Sequence, residues 1–233
     1  MTIADRLTDN LYRLGLGPYQ AYLWRDADGA TLVDTGPKGS GPAIEAALTS
    51  IGLDRGDLRR VVLTHFHDDH AGGAAEVAAW GVPICAHEAD APVIRGDVPG
   101  PPPNFTEQEL ELHRLVAADL PPAPPVQVDQ VLSDGEVLDF GGGAVIVSTP
   151  GHTDGSIAIH LPDHRVLFTG DIAAEHERAL MLGVFNLDTA TAAASFRTIA
   201  ALDADVVCFG HGRPLLENGA DQLRAVRLAP SKA

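Results

Sequence analysis

The chain has 233 residues, 45% of them hydrophobic and 21% charged, which suits one substantial core in an ordinary globular protein. Asp plus Glu number 32 against 16 Lys plus Arg, a formal charge of −16 that repels phosphate backbones and excludes nucleic acid as an expected partner. No apolar run reaches membrane-spanning length, and Met1-Thr-Ile-Ala-Asp-Arg offers neither a basic segment nor an apolar one. The expectation is therefore a cytoplasmic protein without a membrane partner.

In chain order, residues 11–16, 19–25 and 30–34 read as short strands, with Asp28-Gly29 as a hairpin signal between the last two. A helix is expected over 41–51, where Ile44, Ala47, Leu48 and Ile51 share one apolar face. Residues 60–64 form an apolar strand, and Gly72-Gly73 opens a helix through Trp80. A strand over 83–86 completes a βαβ-like pattern, and a second helix follows over about 88–94. Between the Pro/Gly loop 96–104 and Pro121–Pro125 lies an amphipathic helix, 106–120, with Leu110, Leu112, Leu115 and Val116 as its apolar residues. It reads equally as a lid or as a crossover.

The second half is strand-rich, with runs at 126–132, 136–140, 144–149, 156–161, 165–169 and 205–209, and helices at 189–202 and 217–228. Val61-Val-Leu-Thr-His65 echoes Val206-Val-Cys-Phe-Gly-His211, and Thr31-Leu-Val-Asp34 echoes Val166-Leu-Phe-Thr-Gly-Asp171. The echo fits a single domain over 1–233, an αββα sandwich with halves at about 1–120 and 121–233. Cys85 and Cys208 lie in apolar runs without CxxC spacing, which predicts buried free thiols rather than a disulfide or a cysteine zinc site.

The chemistry concentrates in His65-Phe-His67-Asp68-Asp69-His70. Imidazole and carboxylate are good ligands for zinc and related ions, and His65 and His67 are spaced as residues on one face of an extended segment. Asp69 and His70 follow in the turn and can address a second point. Downstream, His152 in Thr149-Pro-Gly-His-Thr-Asp-Gly-Ser156, Asp171 in Phe168-Thr-Gly-Asp and His211 in Phe209-Gly-His-Gly each follow a strand. Each alone reads as packing or a turn. Together they supply five histidines and two carboxylates at strand ends, an inventory for two metal ions.

HxHxDH followed by GHT, GD and GH, with Val33-Asp34-Thr-Gly ahead of it, resembles the metallo-β-lactamase superfamily from about residue 10 to 215. The resemblance implies that His65, His67 and His152 bind one metal, Asp69, His70 and His211 a second, and that Asp171 bridges them. It implies two Zn²⁺ per chain, with Fe or Mn as alternatives, and a bridging hydroxide that attacks a small ester, lactone or thioester, with Asp69 orienting it and relaying a proton. Asp34 reads either as a partner behind the ligands or as a plain turn former.

Departures narrow the substrate. Asp171 stands where true β-lactamases carry cysteine or serine, and matches the glyoxalase II and lactonase branches. The 22 residues after His211 are fewer than the glutathione-binding helical domain of glyoxalase II needs. Ala174 stands where quorum-quenching lactonases place a tyrosine. A mononuclear iron sulfur dioxygenase, suggested by Gly151-His-Thr-Asp-Gly155, and a metallo-β-lactamase with weak β-lactam hydrolysis are the alternatives. A metal-stabilised binding protein is the non-enzymatic one. Glu175, His176, Arg178, Phe66 and Phe185 are candidate pocket residues, each with a plain structural reading beside it. His87, His113, His160 and His164 lack ligand spacing and are expected in structural roles.

Overall fold

A computed structural model describes residues 4–117 and 119–228. The first sheet has seven strands in sequence order: β1 (Ala4–Arg6), β2 (Leu11–Leu16), β3 (Tyr19–Asp26), β4 (Gly29–Val33), β5 (Leu58–Val62), β6 (Ile84–His87) and β7 (Gln130–Leu132). The first four run antiparallel, and β4 through β7 pair in parallel. Helices α1 (Gly41–Ser50), α2 (Asp68–Ala71), α3 (Ala74–Ala78), α4 (Ala91–Ile94) and α5 (Glu107–Val116) belong to this half.

The second sheet comprises β8 (Val137–Leu138), β9 (Ala144–Ser148), β10 (Ile157–Leu161), β11 (Val166–Phe168) and, after a separate hairpin of β12 (Ala173–His176) and β13 (Ala179–Leu182), β14 (Val206–Cys208). Its order is β14-β11-β10-β9-β8. Helices α6 (Thr189–Ala200) and α7 (Gly219–Ala225) complete the chain.

Alternation along the strands shows why four layers form. On β3 and β5, Leu23 and Val61 point into a core shared with Ile44, Leu48 and Val77 of α1 and α3. Their neighbours Tyr22, Trp24 and Val62 point the other way, into a core that also contains Ile157, Ile159, Phe168 and Cys208 of the second sheet. From that sheet Ala158, Leu167 and Val207 face outward to meet Phe196, Ile199 and Leu223 of α6 and α7. Strands buried on both faces must read as continuous apolar runs, and the runs in the sequence do. Cys85 and Cys208 are buried free thiols, as their surroundings predict.

Several local expectations change. The expected helix over 72–80 shortens to α3, and an unpredicted turn of helix, α2, precedes it across Gly72-Gly73, so helix begins at the histidine run itself, with His67 at its N-cap position. The glycines are required there: a Cβ on Gly72 would lie 2.2 Å from the Asp68 carbonyl oxygen, and one on Gly73 2.7 Å from that of Thr35. The expected strand 126–132 shortens to β7, and Val126 instead donates its N–H to the Ile94 carbonyl at the end of α4. The helix over 106–120 shortens to α5, and residue 118 lies outside the described residues. None of its residues is buried; Leu110, Leu112, Leu115 and Val116 are exposed, so its apolar residues do not pack on a core. A capping box between Thr106 and Glu109 starts it instead.

Candidate metal centre

Four turns bring the seven side chains together, each just past a strand. His65 stands three residues beyond β5, His152 four beyond β9, and Asp171 and His211 three beyond β11 and β14. His67, Asp69 and His70 come from the turn that starts α2.

Two clusters result. In the first, Nδ1 of His67 lies 3.1 Å from Nε2 of His65 and 2.9 Å from Nε2 of His152. The three rings stand nearly perpendicular to one another, with centroids 4.6–4.7 Å apart. In the second, Nε2 of His211 lies 3.1 Å from Asp69 Oδ2, and His70 Nε2 lies 3.8 Å from that oxygen. Asp171 spans the two. Its Oδ1 is 3.3 Å from His70 Nε2, and its Oδ2 is 3.2 Å from His211 and 3.8 Å from His152. Ligand atoms of His65, His67 and His152, of Asp69, His70 and His211, and of His65, His70 and Asp171 each lie within 4.8 Å of one another.

These groups fit divalent ions on two counts. Three imidazole nitrogens crowd one point with the Asp171 carboxylate no nearer than 3.8 Å, and Asp171 Oδ1 is buried without a well-aligned hydrogen bond. The approach also requires glycine at 210, where a Cβ would lie 2.0 Å from that oxygen and 2.6 Å from the His70 ring.

The electrostatics of the clusters differ in sign. Burial first, and then neighbouring imidazoles, hold His65 well below its ordinary pKa and His67 at about 3. Burial also lowers His152. These three are neutral donors with free lone pairs. His70 is buried too, yet Asp171, Asp69 and Asp34 outweigh that cost and raise it well above its ordinary value. Asp171 raises His211 to about 10 against the cost of burial. Burial works against charge on Asp69, but His70 and His211 bring it down to about 2, and burial opposes charge on Asp171 while the same histidines hold it well below the carboxylate range. Protons on His70 and His211 balance the two carboxylates, and a metal ion bound there would replace them.

Behind the ligands stand residues that fix their rings. Asp34, in left-handed backbone at φ +60°, accepts from Thr64 N and Thr64 Oγ1 at 2.8 Å each and lies 2.8 Å from His70 Nδ1. Thr64 Oγ1 in turn lies 3.0 Å from His65 Nδ1. Asn186, buried in the loop after β13, places Oδ1 3.3 Å from His152 Nδ1 while its Nδ2 donates to the Gly183 carbonyl. Such contacts leave the opposite ring nitrogen for a metal. Asn186 has no motif around it in the sequence and was legible only from the fold.

The remaining candidates separate. The Glu175 carboxylate accepts from the backbone N–H groups of Arg178 and Arg213, and so fixes the hairpin of β12 and β13 to the His211 loop. His176 and Arg178 are exposed. Phe66 packs edge-on against His67, centroids 4.9 Å apart, and Phe185 packs against Phe105 and His113 rather than into the core. His87, His160 and His164 contact Ser148, the Asp203 carbonyl and Trp24 respectively, structural roles as expected. Tyr19, which the sequence did not single out, lies edge-on to His211 with centroids 6.3 Å apart.

The profile of the metallo-β-lactamase superfamily matches residues 14–211. The chain belongs to this superfamily. It is 30% identical over 204 residues to the probable metallo-hydrolase YflN of Bacillus subtilis, covering 79% of this chain and 75% of that one. It is also 30% identical over 199 residues to a hydroxyacylglutathione hydrolase of Cereibacter sphaeroides, covering 82% of this chain but only 61% of the relative. The crystal structure of a metallo-β-lactamase family protein from Thermus thermophilus superposes with a TM-score of 0.67 at 27% identity, covering 94% of this chain and 80% of that one. The αββα architecture and a metallo-hydrolase assignment follow from these matches.

Proposed function

We propose that the chain is a dinuclear zinc hydrolase of a small thioester, ester or lactone, with iron or manganese as the alternative metals. The observation that carries this reading is Asp171, a carboxylate within 3.8 Å of ring nitrogens in both clusters. His65, His67 and His152 would hold one ion, Asp69, His70 and His211 the other, and Asp171 would touch both. A divalent pair supplies Lewis acidity that makes water nucleophilic near neutral pH and polarises a carbonyl.

The chain's own groups do the rest. Asp69 Oδ2 faces His211 at 3.1 Å, and its Oδ1 accepts no hydrogen bond from the described residues, so that oxygen would take the proton of the attacking water and return it to the leaving group. Asp34, Thr64 and Asn186 hold the rings of His70, His65 and His152 in register. A thioester is favoured by the hydroxyacylglutathione hydrolases and by a chicken acyl-coenzyme A thioesterase, 31% identical over 121 residues. The one-iron alternative leaves the cluster of Asp69, His70 and His211 without a task.

The test is a panel of thioesters, lactones, carboxylic esters and β-lactams, run on zinc-loaded protein with and without chelator. Chelator-sensitive hydrolysis of a thioester, ester or lactone is the expected result. Oxygen consumption by an iron-loaded protein on a persulfide, without hydrolysis, would replace the reading with the oxygenase.

A further inference from the structure

Asp90 precedes α4 and has a residue type suited to capping that helix, yet its side chain makes no cap hydrogen bond. The carboxylate instead turns away and is 2% exposed. Its Oδ2 accepts from the backbone N–H of Phe66 at 3.0 Å and from Thr153 Oγ1 at 2.8 Å, and its Oδ1 accepts from the backbone N–H of Gly155 at 2.8 Å. Phe66 lies between His65 and His67, and Thr153 follows His152. One carboxylate thus joins the two turns that carry all three members of the histidine cluster.

The turn after His152 is shaped around this contact. A Cβ on Gly155 would lie 2.5 Å from the Asp90 nitrogen and 2.6 Å from its Oδ1, so only glycine admits the carboxylate there. Thr153 is itself held by Ser156, whose Oγ accepts from the Thr153 N–H at 3.0 Å and sits 2.8 Å from its hydroxyl. The Thr-Asp-Gly-Ser sequence following His152 therefore reads as the receiving half of a clamp. No cation pairs with Asp90 among the described residues, and burial opposes its charge more than the three donors relieve it, pushing its pKa to about 6. A buried, unpaired carboxylate is costly, and a core position without a further task favours an apolar side chain.

We infer that Asp90 is a positioning residue that sets the spacing of the His65/His67 turn against the His152 turn, and so sets the affinity of the three-histidine cluster for its metal. Asp34 touches the His70 ring of the other cluster directly, whereas no Asp90 hydrogen bond reaches Asp69, His70 or His211. The inference rests on reading the two clusters as metal sites, and it adds that the three-histidine cluster has a carboxylate clamp of its own.

The test is zinc titration of the full chain against a competing chromophoric chelator, for wild type, Asp90→Asn, Thr153→Val and Asp34→Asn, with cobalt(II) spectra of each. Wild type is expected to show two affinities. Asp90→Asn should weaken one of them by ~10–100-fold, the range for loss of a partner behind a metal ligand, and leave the other unchanged. Thr153→Val, which removes a single donor and serves if Asp90→Asn does not fold, should weaken the same affinity less. Asp34→Asn, which loses the partner of the His70 ring and, through Thr64, support behind His65, should weaken the other affinity as well, and the cobalt d–d bands of the two variants should differ. Folded Asp90→Asn or Thr153→Val with both affinities at wild-type values would overturn the inference and leave the two-metal reading intact. A wild type without zinc affinity would instead overturn that reading and the inference built on it.

Discussion

Among single residues, those that touch ring nitrogens carry the sharpest consequences. Asn186→Ala removes the acceptor at His152 Nδ1 and frees that ring to rotate; zinc affinity or activity should fall by ~10–100-fold, with a stability loss limited to its two hydrogen bonds, to His152 and to the Gly183 carbonyl. Parallel chelator competition and urea unfolding check this, and an unaltered affinity would remove Asn186 from the site.

Protonation provides a second residue-level test. His211 is raised to about 10 and His70 well above its ordinary value, so at pH 7 both are protonated in metal-free protein and each must release a proton to bind metal through Nε2. Zinc affinity should therefore rise with pH, and calorimetry in buffers of different ionisation enthalpy should detect proton release at pH 7. No release would contradict the charge arrangement. The same shifts govern folding of the metal-free chain. The His211 contribution is fully present below pH 6.5 and is lost as pH rises through about 10. The Asp69 contribution is present above pH 3.8 and is lost as pH falls through about 2.

At the level of elements, α5 and β10 are opposites. Every residue of β10 is buried, whereas none of α5 is. Amide exchange should open α5 at a much lower free energy than β10; equal protection of the two would mean that α5 is covered in solution. Thr106→Ala, which dissolves the capping box, should cost α5 ~1 kcal/mol of local stability and leave β10 exchange unchanged.

Which elements were legible in the sequence follows from the same physics. Strands buried on two faces advertise themselves as apolar runs, and β10 and β14 fall within the runs that predict them, whereas β5 starts two residues before its run of 60–64 and ends two before its end. The hairpin of β12 and β13 did not. Ala173-Ala-Glu-His176 has weak strand propensity, and its turn places Glu177 and Arg178 at φ +51° and +71° where a glycine or asparagine would have signalled it. The seven ligand candidates were legible because metal chemistry restricts residue type and strand ends supply the spacing. Asp90 and Asn186 were not. A single Asp before a short helix reads as a cap, and an Asn in a loop as a turn, until the fold shows which ring or turn each one meets.

For the molecule as a whole, three apolar layers hold two sheets in the register that brings the four turns together. Ile159 sits in the central layer, fully buried, and Ile159→Ala should cost ~2–5 kcal/mol in denaturant unfolding. Leu115→Ser, at a side chain 79% exposed, should stay within ~0.5 kcal/mol of wild type. A reversed order would place the core elsewhere.

The most direct test of the central claim is metal stoichiometry by elemental analysis after zinc loading and dialysis, for wild type and for Asp171→Ala. Asp171 lies against both clusters, so the account predicts two zinc ions per wild-type chain and a loss at both sites in the variant. A folded wild type that retains no metal, or a variant that still holds two ions at wild-type affinity, would contradict it.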